Sequence, residues 1–322
     1  MNVLHRMNSF AATDFDLCSI TYGSEVLYNL GYHIKSIAEE AERLETQEKI
    51  GIIKKLISFT DLTSLNANDS AKTVKKLIDK AAQPFASSLI SDRNNTCCAA
   101  ACVYPCLVKE AVAHRNLICS LGRPSVAIVT VAGAFPSGMY KLTTKVHECQ
   151  EAKEDGADEI DVVINRGLVA THNWKELYDE LVAMRKVIAS PTLMKTILST
   201  GDIASPLDIY AAATVAMMAG SSFIKSSTGK EKLNSTVPGS LVICLAIRSF
   251  FLRYKRQVGF KAAGGIKTAQ EAIVYYVLVK QILGERWLSR EYFRIGASEL
   301  LDDLVMTLEK LTFRAASSVG TK

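Results

Sequence analysis

Three lysines stand inside consecutive apolar, β-rich segments of the chain. Lys195 lies in Leu193-Met-Lys-Thr-Ile-Leu198, Lys225 in Ser222-Phe-Ile-Lys-Ser-Ser-Thr-Gly229, and Lys261 in Gly259-Phe-Lys-Ala-Ala-Gly-Gly265. A buried ammonium group is costly, so its pKa falls unless a carboxylate holds the charge. Neighbouring ammonium groups depress one another further. A lysine that is neutral near pH 7 is the nucleophile a carbonyl condensation requires. One such lysine is ordinarily a side chain snorkelling out of a strand end. Three on consecutive strands point to a site, because perturbed titratable groups gather at sites.

The matching carboxylate is Asp161, in Glu159-Ile-Asp-Val-Val-Ile-Asn165. Strand alternation puts Asp161, Val163 and Asn165 on one face and Ile160, Val162 and Ile164 on the other. An acid within so apolar a run needs a cationic partner. It forms either a structural ion pair with Lys195 or Lys261, or a pair that passes a proton during reaction.

Small residues and a further lysine offer anion recognition. Ser226-Ser-Thr-Gly-Lys230 is phosphate-loop-like but lacks the first glycine of a Walker motif. Gly264-Gly265 and Gly296-Ala-Ser298 follow the last two strand segments, where backbone N–H groups of a parallel barrel often hold a phosphate. Cys102, after three alanines, reads equally as a small buried hydrophobe or a substrate contact. The five histidines have no metal-ligand spacing, and the chemistry outlined so far needs no metal or cofactor.

These residues need a frame. From about residue 51 the chain repeats a short apolar segment followed by an amphipathic helix. The segments are Leu56–Thr60, Ala99–Tyr104, Val126–Ala132, Glu159–Asn165, Leu193–Ser199, Phe223–Ser226, Val258–Ala263 and Phe293–Ala297. Their spacing is that of βα units. Helix starts are marked at Ser70, at Ser205-Pro206 and at Thr268 with Glu271 three residues on. Gly156 and Gly220 sit where helices should stop. Eight such units either spread into an open doubly wound sheet or close into a barrel. Site residues at the ends of many different strands favour the barrel, since an open sheet gathers its site at one switch point. The expected architecture is an α/β (β/α)8 TIM barrel over residues 51–313. An N-terminal helical extension (1–50) precedes it and a flexible tail (314–322) follows.

Of the 322 residues, 48% are hydrophobic and 22% charged, which suits one such barrel. Apolar runs such as Val126–Val131 fall well short of the roughly 18 residues of a membrane span, so no membrane association is expected. Met1–Arg6 lacks the apolar stretch of a secretory signal, and Asp14 and Asp16 are out of character for a transit peptide. The eight scattered cysteines, with no Cys-x-x-Cys, read as reduced thiols in the cytoplasm. The net charge of +5 has one dense cluster, Arg253, Lys255 and Arg256. It reads as a solvated helix end, with no nucleic-acid partner.

At these residues the chain resembles the deoxyribose-phosphate aldolase family, a class I (lysine Schiff-base) lyase family. The likeness runs over about residues 56–310. It is carried by Asp61-Leu-Thr-Ser-Leu65, Ala100-Ala-Cys-Val-Tyr-Pro105, Gly156-Ala-Asp-Glu-Ile-Asp-Val-Val163, Phe223–Lys230, Gly259–Gly265 and Arg294–Leu301. The resemblance implies reversible cleavage of 2-deoxy-D-ribose 5-phosphate to glyceraldehyde 3-phosphate and acetaldehyde. It implies Lys225 as the Schiff-base lysine, Asp161 and Lys261 as the proton relay, and Lys195 beside them. Gly229, Lys230, Gly264, Gly265 and Ser298 would hold the phosphate, and Asp61, Thr63 and Cys102 would line the site. A homo-oligomer is a further expectation. The chain departs from the family at Glu299, where a small hydroxyl residue is usual, at Ala262 and Lys267, and in lacking a terminal tyrosine. Glu299 is expected to turn toward solvent or Lys230. Another Schiff-base phosphosugar lyase, resembling a transaldolase, and a barrel scaffold without turnover remain the alternatives.

Overall fold

The computed structural model describes residues 11–85 and 96–319, with side chains described through residue 317. Residues 1–6 and the last three of the expected tail therefore lie outside the described residues. Eight parallel strands close into a barrel in sequence order: β1 (Thr60–Thr63), β2 (Ala100–Val103), β3 (Ala127–Ala132), β4 (Glu159–Val163), β5 (Leu193–Ile197), β6 (Phe223–Lys225), β7 (Gly259–Ala263) and β8 (Phe293–Ala297). Helices cover the outside. Their starts follow local chemistry. Ser70 and Thr73, and Thr268 and Glu271, form reciprocal capping boxes, and Ser205 accepts a bond from the Leu207 N–H beside Pro206. Gly156 and Gly220 take left-handed φ angles of 96° and 97° just beyond helices Leu142–Glu154 and Pro206–Met218.

Strand alternation sorts the wall into two populations. Leu62, Ala101, Ile128, Ile160, Met194, Ile224, Phe260 and Ile295 point outward into the large core beneath the helices. A separate small cluster, Ala100, Cys102, Val129 and Val131 with Leu65, faces the barrel axis. From β4 round to β8 and β1, the inward face is charged instead.

The first strand differs from expectation. Leu56–Phe59 is the last turn of helix Thr46–Phe59, and β1 begins only at Thr60. Ile53, Leu56 and Ile57 fall at helical spacing and are fully buried. Periodicity in so short an apolar run does not separate a strand from a buried helix end. The expected domain boundary at residue 50 falls inside this helix. Before it, helices Leu17–Thr21, Gly23–Val26 and Leu30–Arg43 lie on the barrel's outer ring. Ile37 and Ala41 are buried there, and Glu40 pairs with Lys280 at 3.0 Å. At the other end, helix Leu300–Val319 continues past Phe313 through most of the expected tail.

Helix Val237–Tyr254 has the length and mean hydropathy of a membrane span, closer to that limit than the short apolar runs suggested. It packs as a core helix, with Leu241, Ile243 and Ile247 fully buried against its neighbours. The basic cluster at its end is only partly solvated. Arg253 pairs with Asp16 at 2.7 Å, and Arg256 stacks over Phe250 and donates to the carbonyl oxygens of Ala11 and Met217.

Candidate active site

Parallel pairing fixes which inward side chains meet. Asp161 is opposite Lys195 across β4 and β5, Lys225 opposite Lys261 across β6 and β7, and Lys261 opposite Arg294 across β7 and β8. All are buried, and they converge on three carboxylates. Asp161 accepts from Lys195 at 3.0 Å through Oδ1, and from Lys225 at 2.8 Å and Lys261 at 2.9 Å through Oδ2. Asp61 meets Lys261 at 2.5 Å and Arg294 at 2.6 Å. Glu159 meets Arg294 at 2.9 Å and also pairs with Lys195. Gly296 makes this packing possible, because a Cβ there would stand 3.0 Å from Lys261 Cε.

Charge bookkeeping then separates the lysines. Four cations face three carboxylates, so one positive charge is in excess. Burial works against ionisation of Asp161, but Lys195, Lys225 and Lys261 outweigh it and hold the carboxyl well below its usual range. Asp61 and Glu159 are likewise held low by their cations against the opposing pull of burial. For Lys261, burial is outweighed by Asp161 and Asp61, and its pKa rises. For Lys225, burial wins and Lys261 adds to it, so its pKa is lowered despite Asp161. Of Lys225 and Lys261, Lys225 is thus the amine that sheds a proton more readily.

Lys225 is also the one of the four cations that lines a cavity, about 310 Å³ in volume, above the charged cluster. This cavity lies at the C-terminal ends of the strands, the side on which such barrels carry their sites. Its walls include Thr63, Gly229, Lys230, Gly264, Gly265 and Ser298. The loop after β6 holds its own shape: Glu231 accepts from the Thr228 N–H at 3.1 Å, and Gly229 N–H donates to Ser227 Oγ at 3.1 Å. Gly264 and Gly265 adopt φ of 79° and 81°, and a Cβ on Gly264 would collide with Asn234. Lys230 donates to the Leu65 carbonyl at 2.8 Å. Glu299 pairs with Lys267 at 3.1 Å, and both side chains are about two-thirds exposed at the rim. It turns toward solvent, the first of the two expected directions, and its partner there is Lys267 rather than Lys230.

Two expected lining residues sit deeper. Asp61 belongs to the buried charge cluster, and Cys102 is fully buried on the inward face of β2, its thiol pushed up by burial. Thr63 does line the cavity, and its hydroxyl donates to the Asp61 carbonyl at 2.9 Å. Asn165 has left the strand and caps helix Arg166–Ala170. Sequence reasoning missed Glu159 and Arg294. A signal existed for both: Glu159 is two residues from Asp161 on the same strand face, and Arg294 is a lone charge inside the apolar β8 segment.

A closed parallel barrel with a lysine-floored cavity at its C-terminal mouth defines a barrel enzyme of the amine–carbonyl type. Comparison with known proteins narrows this. The sequence profile described as DeoC/LacD family aldolase matches residues 55–287, and the chain belongs to this family. It is 46% identical over 255 residues to the deoxyribose-phosphate aldolase of Mus musculus and 44% identical to that of Homo sapiens, covering 78% of each chain. The Agrobacterium fabrum deoxyribose-phosphate aldolase is 33% identical over 252 residues, which are 78% of this chain and 90% of that one. Among solved structures, an apo-form from Toxoplasma gondii ME49 superposes with a TM-score of 0.70 at 22% identity, covering 82% of this chain and 99% of that one. The Aeropyrum pernix deoxyribose phosphate aldolase gives a TM-score of 0.59 at 23% identity, with 86% and 98% covered. At these identities the structures speak for the fold alone.

Proposed function

We propose that the protein is a deoxyribose-phosphate aldolase that works through a Schiff base on Lys225. The observation that carries the reading is the pairing of access with charge: the lysine on the cavity floor is one whose pKa burial and Lys261 lower. The neutral Nζ adds to the aldehyde carbon, C1, of open-chain 2-deoxy-D-ribose 5-phosphate. A proton delivered through Asp161 and Lys261 lets the carbinolamine hydroxyl leave as water, giving an iminium. Loss of the C3 hydroxyl proton breaks the C2–C3 bond. Its electron pair passes to the iminium nitrogen, which leaves an enamine and releases D-glyceraldehyde 3-phosphate. Protonation at C2 and hydrolysis free acetaldehyde and restore the amine.

In this reading Lys195 holds Asp161 in place, while Asp61, Thr63 and Cys102 shape the wall. Gly229, Lys230, Gly264, Gly265 and Ser298 receive the phosphate, as the positive φ of the three glycines and their position at the cavity would allow. The reaction belongs to deoxyribonucleoside breakdown in the cytoplasm, in keeping with eight unpaired cysteines. A homo-oligomer is in keeping with the exposed Tyr28 and Tyr32, and sedimentation tests it. The central test is reduction with borohydride in the presence of acetaldehyde, followed by peptide mapping. A two-carbon adduct on Lys225 is expected; recovery on Lys195 or Lys261 sinks the assignment.

A further inference from the structure

We propose that Arg294 is a positioning residue for Lys225, acting through the charge balance of the barrel interior rather than by touching substrate. The inference rests on Lys225 being the nucleophile. Arg294 does not line the cavity. It lies beneath it, with Nη1 2.6 Å from Asp61 Oδ1, Nη2 2.9 Å from Glu159 Oε1 and Nε donating to the Arg290 carbonyl. The ring of Phe223 packs 5.6 Å from its guanidinium carbon. A guanidinium so bound cannot release its proton, so it is a fixed positive charge.

Its effect passes along the carboxylates. Arg294 occupies one oxygen of Asp61 and reaches both of Glu159, Oε1 at 2.9 Å and Oε2 at 3.4 Å. The other Asp61 oxygen meets Lys261 at 2.5 Å, and Glu159 Oε2 also pairs with Lys195. Lys195 and Lys261 therefore each hold at least two carboxylates. Lys225 is left with Asp161 Oδ2 at 2.8 Å, which Lys261 shares at 2.9 Å. Of the four cations it is the one held by a single carboxylate. Were Arg294 neutral, three ammonium groups would face three carboxylates and Lys225 would keep its proton to higher pH.

Burial and Lys261 act on Lys225 directly, and the charge balance set by Arg294 adds to them. Lys225 pairs with Asp161 from β4, which Lys195 from β5 and Lys261 from β7 share, with Asp61 from β1, Glu159 from β4 and Arg294 from β8 beneath. Cys102 from β2 is buried, and its raised thiol stays uncharged. Val129 and Val131 from β3 are apolar. Lys230, Lys267 and Glu299 line the cavity above, the last two paired with each other at 3.1 Å.

The test follows the pH dependence of kcat/KM, and of borohydride trapping of acetaldehyde on Lys225, in Arg294→Met, Glu159→Gln and the double variant. Arg294→Met removes the excess charge, and the midpoint of the acid limb should rise by about one unit or more. Below both midpoints, each unit lowers kcat/KM roughly tenfold. Glu159→Gln enlarges the excess, so its midpoint should fall. The double variant restores the original excess and should return toward the wild-type midpoint. It also removes Glu159 together with the arginine that held it, so this carboxylate is not left without that partner as in Arg294→Met alone. One midpoint common to all three variants, with losses confined to stability or kcat, overturns the proposal. An adduct on another lysine in the wild type overturns the Lys225 reading itself, and this inference with it.

Discussion

Lys145 and Lys225 are both buried lysines, and their surroundings differ in one respect. Lys145, on helix Leu142–Glu154, lies 2.8 Å from Glu180 of helix Trp174–Ile188, its one close ion pair among the described residues, with Glu148 farther off. Lys225 belongs to a cluster in which cations outnumber carboxylates, and it shares its one carboxylate oxygen with Lys261. A matched pair neutralises itself and joins two helices. An unmatched cluster persists only because eight strands hold its members together, and its surplus charge appears as a readily lost proton. The same residue type is thus structural in one place and poised for chemistry in the other.

The largest effects should come from the unmatched cluster. Lys225→Arg is expected to abolish turnover, because arginine stays protonated at any usable pH. Asp161→Asn should cost about 10²–10⁴-fold in kcat with the fold intact, as for other lost acid–base groups. Near-normal turnover in Asp161→Asn would reduce Asp161 to a structural partner.

Glu180→Gln should do the reverse. Leaving Lys145 unpaired should lower stability by about 3–5 kcal/mol in thermal or urea unfolding, the usual cost of breaking a buried pair. Its kcat/KM should stay near wild type. A loss of activity comparable with that of Asp161→Asn would erase the contrast.

Stability should rise with pH through both kinds of group, in two separate windows. Asp61, Glu159 and Asp161 have folded-state pKa values below their unfolded ones. Their contribution to stability is present above the unfolded carboxyl values, near pH 4, and is lost as pH falls through the folded ones. Lys225 also has a lowered folded-state value. Between that value and about 10.4 the unfolded chain binds more protons there, so stability rises with pH. Unfolding followed against pH in wild type and Lys225→Met should therefore give a difference that grows in favour of the wild type toward alkaline pH. A flat difference would mean that Lys225 is no less firmly protonated in the fold than in the unfolded chain.

The smallest effect is expected at the rim. Glu299 is exposed and engaged by Lys267, so Glu299→Ser should change KM little. Lys230→Ala should raise KM for the phosphorylated sugar much more than for deoxyribose itself. A large gain in affinity from Glu299→Ser would mean that the glutamate turns inward.

Much of this was legible in the chain. Periodicity marked seven of the eight strands, since an alternating or continuous apolar run between turn residues is a local signal. It misread Leu56–Phe59, where a buried helix end and a strand look alike. The three strand lysines and Asp161 stood out for a related reason: a charge inside an apolar run is anomalous wherever the run ends up. What no local pattern contained was the partnership among them. Asp161 and Lys261 are a hundred residues apart, and Asp61 and Arg294 farther still, yet barrel closure brings each pair within hydrogen-bonding distance. Side-chain type and alternation belong to the chain itself. The excess of cations over carboxylates, and Lys225 as the cation on the cavity floor, come only from closing the barrel, because electrostatic energy depends on distance through space rather than along the sequence.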